Sequence, residues 1–571
     1  IPQNYGTYRF DSLEDFLTGA SASEYDRAYS LVDEITGDGS SAAAEFNAMQ
    51  LGFYLQDEWA VNRNLTLTGG IRLDIPVITD DPAVDTYFNN TALPLIEAQY
   101  PVASDIQAGQ APDGQLMWSP RLGFNYDFNN TNRTVLRGGL GIFTSRIPFV
   151  WPGAMFNNNG LTLGGVNERD ISGDINFIPD ISKQYINPNF SVPSGDINIF
   201  TKDFKYPQIL RGNLAVDHQL PGGINATVEY VYTKTLNNVL YTNVNSSKTG
   251  SLTWTGTPDD RVKYTRTSID PTYTAVYAGS NTDEGYTYNI SAILQKKFLF
   301  GLDAYLAYTF GDAYAVNEGT SSQNSSQWRG QVSVDGRNNP VFGRSDFSLG
   351  HRIVSSLSYK LKWNDAENAA TTISLFYNGQ SGTAFSYVLG GSNGRNPNNE
   401  TGSTSRNRSL VYIPNSPDEI NLVPYTSGGQ TISVAQQWAD LNAVIEDDPA
   451  LRENRGGYAR KNSARAPFTS IFDLAVRQDF GIKTGNNINK LQLSLDIFNF
   501  ANMLNKDWGT VYSIPGDFNN YFFYQFEGYE ADGTTPRFTF RDGAETGEDR
   551  FNIAGTASRW RMRLGLRYIF N

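Results

Sequence analysis

Strict alternation of apolar and polar residues recurs in short segments along the chain, and this period of two constrains the fold more than any other feature. In the C-terminal segment one set of alternate positions is basic and the other is apolar. The basic set is Arg559, Arg561, Arg563 and Arg567, and the apolar set is Trp560, Met562, Leu564, Leu566, Tyr568 and Phe570. Successive side chains of a strand point to opposite faces, so this strand has one cationic and one apolar face. It fits a soluble sandwich, where the apolar face meets a second sheet, or an outer-membrane barrel, where it meets lipid.

Repetition of the pattern favours the barrel. Six further alternating segments lie at 65–73, 121–128, 210–217, 225–232, 288–295 and 491–497. Their polar positions include Arg, Asp, Glu and Gln, which a wet lumen accepts and a dry core does not. Aromatic residues such as Trp59, Phe298, Trp363 and Phe480 gather at the strand ends, and an apolar band between aromatic girdles is typical of transmembrane barrels. We therefore predict an all-β, transmembrane antiparallel β-barrel, with a soluble sandwich or propeller as the alternative.

The connections between these segments alternate in length. Short turns rich in Asn and Gly lie at 62–64, 129–132, 221–223, 300–301, 364–368 and 483–487. Long connections lie at 75–115, 147–204, 236–285, 312–343, 389–466 and 506–555. Long loops are uncommon in compact soluble domains, whereas outer-membrane barrels combine short periplasmic turns with long extracellular loops. The pattern predicts that the long connections are extracellular.

The strand count predicts that this chain supplies part of a barrel. Six hairpins and the terminal strand give about 13 strands, whereas single-chain bacterial barrels have an even number. If the whole is a plugged barrel of about 22 strands, about nine strands precede Ile1. Residues 1–45 are then an extracellular loop segment, and residues 46–571 are the C-terminal strands of the barrel with their loops.

Composition removes several other classes of protein. The formal net charge of −14 would repel phosphate, which argues against nucleic-acid binding. The chain has no Cys, which excludes disulfides and thiolate metal sites, and it has only two His, His218 and His351, to which we assign structural roles. No apolar run reaches the roughly 18 residues of a membrane helix. The chain opens without a signal peptide, so we expect that it was processed or belongs to a longer chain.

Several stretches resemble the C-terminal barrel of TonB-dependent transporters, and in particular the Oar-like branch. They are IPQNYGTYRF at 1–10, LEDFL at 13–17, GFYLQDEW at 52–59, NLTLTGGIR at 64–72, SPRLGF at 119–124 and LGLRYIF at 564–570. The resemblance implies a location in the Gram-negative cell outer membrane, in contact with its lipid. It also implies a plug domain, a TonB-binding segment and an N-terminal carboxypeptidase-regulatory-like domain, all outside this sequence.

The function implied by the resemblance is energy-coupled transport. Loops capture a large ligand, a plug rearranges when TonB pulls it, and the ligand passes through the lumen. Oar-like relatives are associated with peptide or protein traffic, and related glycan importers with a surface lipoprotein, so a peptide, a protein or an oligosaccharide is the implied substrate. The alternatives are a passive porin or a structural barrel that anchors surface loops. A third class is a soluble secreted β-propeller enzyme or lectin.

The sequence contains no catalytic constellation, and we expect no enzymatic activity, cofactor or metal centre. Four tryptophans of the long loops, Trp151, Trp254, Trp328 and Trp508, are candidates for substrate contact, with packing inside the loops as the alternative. The resemblance implies that the C-terminal basic set pairs with acidic groups of a plug; the alternative is pairing with Asp496 and other lumen carboxylates. Two oxygen-rich acidic runs, at 167–174 and 542–549, are candidates for a calcium ion.

Overall fold

The computed structural model describes residues 5–32, 43–128, 131–167, 175–186, 191–363, 369–402, 408–484, 487–516 and 518–570. Strands of the first half are β1 (Thr7–Arg9), β2 (Glu24–Ser30), β3 (Ala48–Ala60), β4 (Leu65–Ile78), β5 (Met117–Asp127), β6 (Thr134–Thr144), β7 (Leu163–Asn167), β8 (Gly195–Phe200), β9 (Gln208–Leu220), β10 (Ile224–Asn243), β11 (Leu252–Thr253), β12 (Val262–Lys263), β13 (Tyr273–Thr282) and β14 (Gly285–Lys297). Strands of the second half are β15 (Leu302–Ala315), β16 (Gly343–Arg344), β17 (Gly350–Lys362), β18 (Ala369–Gln380), β19 (Ala384–Gly390), β20 (Tyr412–Ile413), β21 (Tyr425–Ser427), β22 (Gln430–Ile432), β23 (Gly457–Tyr458), β24 (Ala464–Arg465), β25 (Thr469–Thr484), β26 (Asn487–Phe498), β27 (Tyr512–Ser513), β28 (Asn520–Tyr529), β29 (Pro536–Thr539), β30 (Asn552–Ile553) and β31 (Arg561–Ile569).

Helices are short and lie between the strands. They are α1 (Leu13–Thr18), α2 (Leu93–Glu97), α3 (Val150–Asn157), α4 (Asn324–Arg329), α5 (Val434–Asp447), α6 (Pro449–Arg452), α7 (Phe500–Leu504) and α8 (Gly555–Ser558). Within the described residues, none of the helices has the length and apolar character needed to cross a membrane.

One long antiparallel sheet organises the molecule. Its path runs β3-β4-β5-β6-β9-β10-β14-β15-β17-β18-β25-β26-β31, and neighbours on this path are antiparallel. The sequence prediction of an all-β antiparallel architecture is confirmed. Among the described residues, β3 and β31 stand at the two ends of the path, and no pairing joins them.

Hairpins form at the short turns that the sequence predicts. In the first turn the Asn62 side chain accepts hydrogen bonds from the backbone N–H groups of Asn64 and Leu65, so it closes the loop locally. In the third turn Gly222 and Gly223 both have positive φ, which glycine adopts without steric cost. Residues 129–130, 364–368 and 485–486 of the other turns lie outside the described residues, but the strands that flank them pair.

The register gives the sheet two chemically different faces. The apolar face carries, among others, Leu55, Ile71, Leu122, Leu140, Leu214, Val228, Ile290, Leu306, Ile373, Leu495 and Leu564. The polar face carries, among others, Arg72, Arg121, Arg137, Asp217, Glu229, Ser291, Ser358, Arg477, Asp496 and Arg563. The apolar face is open: Leu564 is 78% exposed and Leu122 is 69% exposed. The sheet therefore has no dry core on this side.

The N-terminal segment lies outside the long sheet. Strands β1 and β2 form a small sheet with β7, which belongs to the connection between β6 and β9. Tyr25 of β2 is fully buried there and donates its hydroxyl to the carbonyl of Tyr185 at 2.9 Å. Residues 7–30 thus pack against a long connection.

The long connections fold into a structure with its own cores. They form a loop layer, which comprises the described residues of 79–116, 145–207, 244–284, 316–349, 381–468 and 499–560. One core joins β19 and β28, which pair in parallel, to α5 and to β29. Two further cores form around β8 and β13, which are also parallel neighbours. The loop layer is packed in the same way as a soluble domain.

Candidate functional site: the polar face and the loop layer

A charged network crosses the polar face on strands β6, β9 and β10. The guanidinium of Arg137 donates to Asp217 at 2.9 Å and lies 3.7 Å from Glu229. Thr227 donates its hydroxyl to Asp217 at 2.6 Å, and Asn213 donates to Glu229 at 3.1 Å. The strand register brings these groups together, because Ala215 is the partner of both Arg137 and Glu229. All four charged and amide groups keep part of their surface open, which suits a face that meets water.

Within the described residues, one member of the C-terminal basic set has an acidic partner and three have none. Arg563 of β31 is the register partner of Asp496 of β26, and its guanidinium donates to that carboxylate at 2.8 Å. Arg477 approaches the other oxygen of Asp496 at 3.4 Å. The remaining members, Arg559, Arg561 and Arg567, are exposed and have no ion pair among the described residues. Arg563 thus pairs with a carboxylate of the same face, and the other three arginines have no ion pair with any described residue.

Three of the four loop tryptophans are buried in the loop layer. Trp328 and Trp151 belong to one core, and their indole N–H groups donate to Asn338 at 2.7 Å and to the carbonyl of Ser321 at 2.8 Å. Trp254 is buried in another core. Contact of these three rings with a substrate would require the loop layer to open, so in this structure they pack the loops. Trp508, which is 55% exposed, presents its ring to solvent.

Buried ion pairs join different loops. The ammonium of Lys461 lies 3.0 Å from Glu318, and the guanidinium of Arg337 lies 2.9 Å from Glu400; all four side chains are almost inaccessible. Burial lowers the pKa of Lys461, with Glu318 opposing the shift, and burial raises the pKa of Glu400, with Arg337 opposing it. Removing one partner would leave an uncompensated buried charge.

Sequence reasoning missed these pairs. Lys461 and Glu318 are 143 positions apart, and Arg337 and Glu400 are 63 positions apart. Neither spacing belongs to a strand or helix periodicity, so no local signal marks them. A fixed motif could not have found them either, because the loop fold alone brings the partners together.

The remaining sequence candidates are the two acidic runs and the two histidines. Among the described residues there is no group of three or more His, Cys, Asp and Glu side chains that could hold a metal ion. Most of the acidic run 167–174 lies outside those residues. In the second run, burial raises the pKa of Asp542 to about 6. His218 and His351 both lie on strands, and each shares a hydrogen bond of 2.8 Å through Nδ1, with a threonine and a tyrosine hydroxyl respectively.

Comparison with known proteins places the chain among outer-membrane barrels. The family model described as outer membrane beta barrel domain matches residues 2–511. No curated protein matches the chain. Among solved structures, a mutant of the ferric enterobactin receptor PfeA from Pseudomonas aeruginosa is 10% identical, with 96% of this chain and 50% of that chain covered and a TM-score of 0.38.

Two other structures give similar values. The outer membrane transporter YddB from Escherichia coli is 10% identical, with 92% and 45% covered and a TM-score of 0.41. The ferripyoverdine receptor of Pseudomonas aeruginosa, bound to ferripyoverdine, is 12% identical, with 87% and 37% covered and a TM-score of 0.36. The chain spans half or less of the length of these three structures.

Proposed function

The chain belongs to the outer membrane beta barrel domain family and lies in the cell outer membrane, and from this premise we propose that it forms wall and surface loops of an energy-coupled outer-membrane transporter. The observation that carries the proposal is the division of the long sheet into an open apolar face and a charged, hydrogen-bonded polar face. Lipid would meet the first face and a water-filled lumen the second. The loop layer would then lie on the extracellular side, since the long connections of such barrels are extracellular.

The directions of the two end strands of the sheet favour a larger barrel. Strand β3 leads into the short turn at 62–64, and β31 follows a long connection, so both strands run toward the rim of short turns. Pairing them directly would make a parallel pair, whereas strands of these barrels pair antiparallel. Leaving both edges unpaired in hydrocarbon would cost several kcal/mol per backbone group. We therefore propose that an odd number of further strands, about nine for a barrel of about 22, stands between them.

The exposed arginines of the polar face also favour a plug in the lumen. The exposed guanidinium groups of Arg559, Arg561 and Arg567 have no acidic partner among the described residues, although the neighbouring Arg563 has one. A plug with acidic groups at this position of the lumen would supply the missing partners. The resemblance to Oar-like transporters suggests a peptide, a protein or an oligosaccharide as cargo, with TonB as the energy-coupling partner and a surface lipoprotein as a further partner. Of the predicted ligand contacts, Trp508 is the ring that is open to an arriving ligand.

Two measurements on the full-length protein purified in detergent test this function without knowledge of the cargo. In planar lipid bilayers, we expect a plugged barrel that does not conduct ions at rest. In a pull-down assay, we expect the protein to retain the periplasmic domain of TonB. Steady conductance together with no retention of TonB would instead identify a passive pore and contradict the proposal.

A further inference from the structure

A cleft of about 640 Å³ lies beside the ends of β14 and β15 that join the long connections, where these strands meet the loop layer. One of its sides is aromatic. Tyr286 and Tyr314 are register partners, and their ring centroids are 4.8 Å apart with planes inclined by 20°. The ring of Phe342 lies 6.2 Å from each of them. The three rings form an aromatic platform.

The platform belongs to the apolar face and not to the lumen. Tyr286 has the same strand parity as Ile290, which is 44% exposed on the apolar face. Tyr314 has the same parity as Leu306, which is 45% exposed on that face. The cleft therefore opens sideways, above the band of the sheet that would meet lipid, at the rim of long connections. A molecule in the outer leaflet of the membrane could reach it without entering the lumen.

Within the described part of the chain, the lining of the cleft carries one uncommitted cation. Arg460 is exposed, and among the described residues its guanidinium has neither an ion pair nor a side-chain hydrogen bond. The two other cations that line the cleft are engaged: Arg344 donates to Asp312 at 2.9 Å, and Lys461 is paired with Glu318 at 3.0 Å. A ligand that enters the cleft thus meets a single cation that is available for an acidic group.

The remaining polar groups of the cleft can accept hydrogen bonds from hydroxyl groups of a ligand. Glu453 is exposed at the cleft with no ion pair among the described residues, and its carboxylate can accept hydrogen bonds. The Nδ2–H of Asn454 donates a hydrogen bond to the carbonyl of Ala450 at 2.7 Å, and its Oδ1 can act as a further acceptor. The carboxylate of Glu453 would disfavour a purely anionic ligand, but it would favour one that also carries several hydroxyl donors.

We propose that this cleft binds the phosphorylated sugar headgroup of a glycolipid in the outer leaflet. The aromatic platform packs against the C–H face of a sugar ring, Arg460 pairs with a phosphate, and Glu453 and Asn454 accept hydrogen bonds from sugar hydroxyls. The volume lies in the range of sites for compact organic ligands. The site needs only the outward orientation of the long connections, and it is independent of transport.

The test uses the full-length protein in mild detergent and native mass spectrometry. The probes are a glycolipid with a phosphorylated diglucosamine headgroup, the same glycolipid without phosphate, and phosphatidylglycerol. We expect the phosphorylated glycolipid to bind best, and Arg460→Glu to weaken its binding by about tenfold, since a charge-assisted contact to phosphate is replaced by repulsion. Phe342→Ala should weaken the binding of both glycolipids by a similar factor, because the platform contacts the sugar.

Two matched variants serve as controls. Arg395→Glu changes an exposed loop arginine outside the cleft, and Trp363→Ala removes an aromatic ring that is 60% exposed, near the short-turn rim. Both should bind the phosphorylated glycolipid like the unchanged protein. Equal losses in Arg460→Glu and Arg395→Glu would overturn the proposal, because they would show a nonspecific effect of charge. The proposal would also be overturned if phosphatidylglycerol bound as tightly as the phosphorylated glycolipid, since the sugar would then play no part.

Discussion

The long sheet exposes many of its apolar side chains, whereas the loop layer buries its own. Leu564 and Leu122 of the sheet are more than two thirds exposed, whereas Trp328 and Phe385 of the loop layer are fully buried. The loop layer thus stabilises itself in water through its own cores. The sheet relies on its backbone hydrogen bonds and on a second, apolar solvent. One chain is therefore adapted to two solvents, and the boundary between them is the rim where strands become loops.

Charged groups show the same contrast. Arg563 of the polar face keeps 68% of its side chain exposed while it pairs with Asp496, whereas Lys461 of the loop layer keeps 1%. Exposed pairs contribute little to stability, and losing one partner of a buried pair is costly. Substitutions in the two regions should differ accordingly.

The largest effect is expected in the core of the loop layer. Trp328→Ala should lower the free energy of unfolding of this layer by about 3 to 5 kcal/mol, because it removes a fully buried ring. Trp508→Ala is the matched control, and it should change stability by less than about 0.5 kcal/mol since the ring is exposed. Pulse proteolysis in urea measures both. Similar losses in the two variants would show that the loop layer has no specific core.

Breaking a buried ion pair should have an effect of similar size. Glu318→Ala leaves the ammonium of Lys461 buried without its partner, and we expect a loss of about 3 to 5 kcal/mol. Asp496→Ala leaves Arg563 and Arg477 without their carboxylate, but their side chains are 68% and 42% exposed, so water solvates the two cations and the loss should be no more than about 1 kcal/mol. Urea titrations of the two variants give the comparison. The prediction fails if Asp496→Ala proves costlier than Glu318→Ala.

Neighbouring positions of β26 separate the two faces of the sheet. Leu493→Arg places a charge on the apolar face and should cost about 2 to 4 kcal/mol, whereas Ser494→Arg on the polar face should cost much less. The two residues are adjacent, so local strand propensity hardly differs. Folding titrations into lipid vesicles measure the costs, and equal values would mean that the faces are wrongly assigned.

The smallest expected effect is the pH dependence of the stability of the loop layer. Burial raises the pKa of the Asp542 carboxyl to about 6, above its ordinary value of about 3.9. The folded state thus favours the protonated form, and this group makes the layer less stable as the pH rises from about 4 to 6. Asp542→Asn should stabilise the layer by about 1 kcal/mol at pH 7.5, and the gain should vanish at pH 4. A gain that is the same at both pH values would exclude titration as its cause.

The sequence predicts the sheet far better than the loop layer. The alternation around Leu493 and Leu564 repeats every two residues, so strands, faces and short turns can be recognised locally. The partners in the loop layer cannot be recognised in this way. The parallel pairing of β19 with β28 joins residues more than a hundred positions apart, and the pair of Lys461 with Glu318 depends on two different connections. The same limit explains why the tryptophans looked like candidates for ligand contact: a sequence shows that a ring lies in a loop, but not that the loop encloses it.

The central claim is that the apolar face meets lipid and the polar face meets water, and site-directed spin labelling tests it most directly. The sequence contains no cysteine, so single cysteines at positions 491 to 496 of β26 each report one site. In membranes, we predict that labels at Leu491, Leu493 and Leu495 collide mainly with dissolved oxygen, and that labels at Gln492, Ser494 and Asp496 are less accessible to oxygen. A water-soluble nickel complex should show the opposite alternation. Equal access of both relaxants along the strand, or alternation in the reverse phase, would contradict the account.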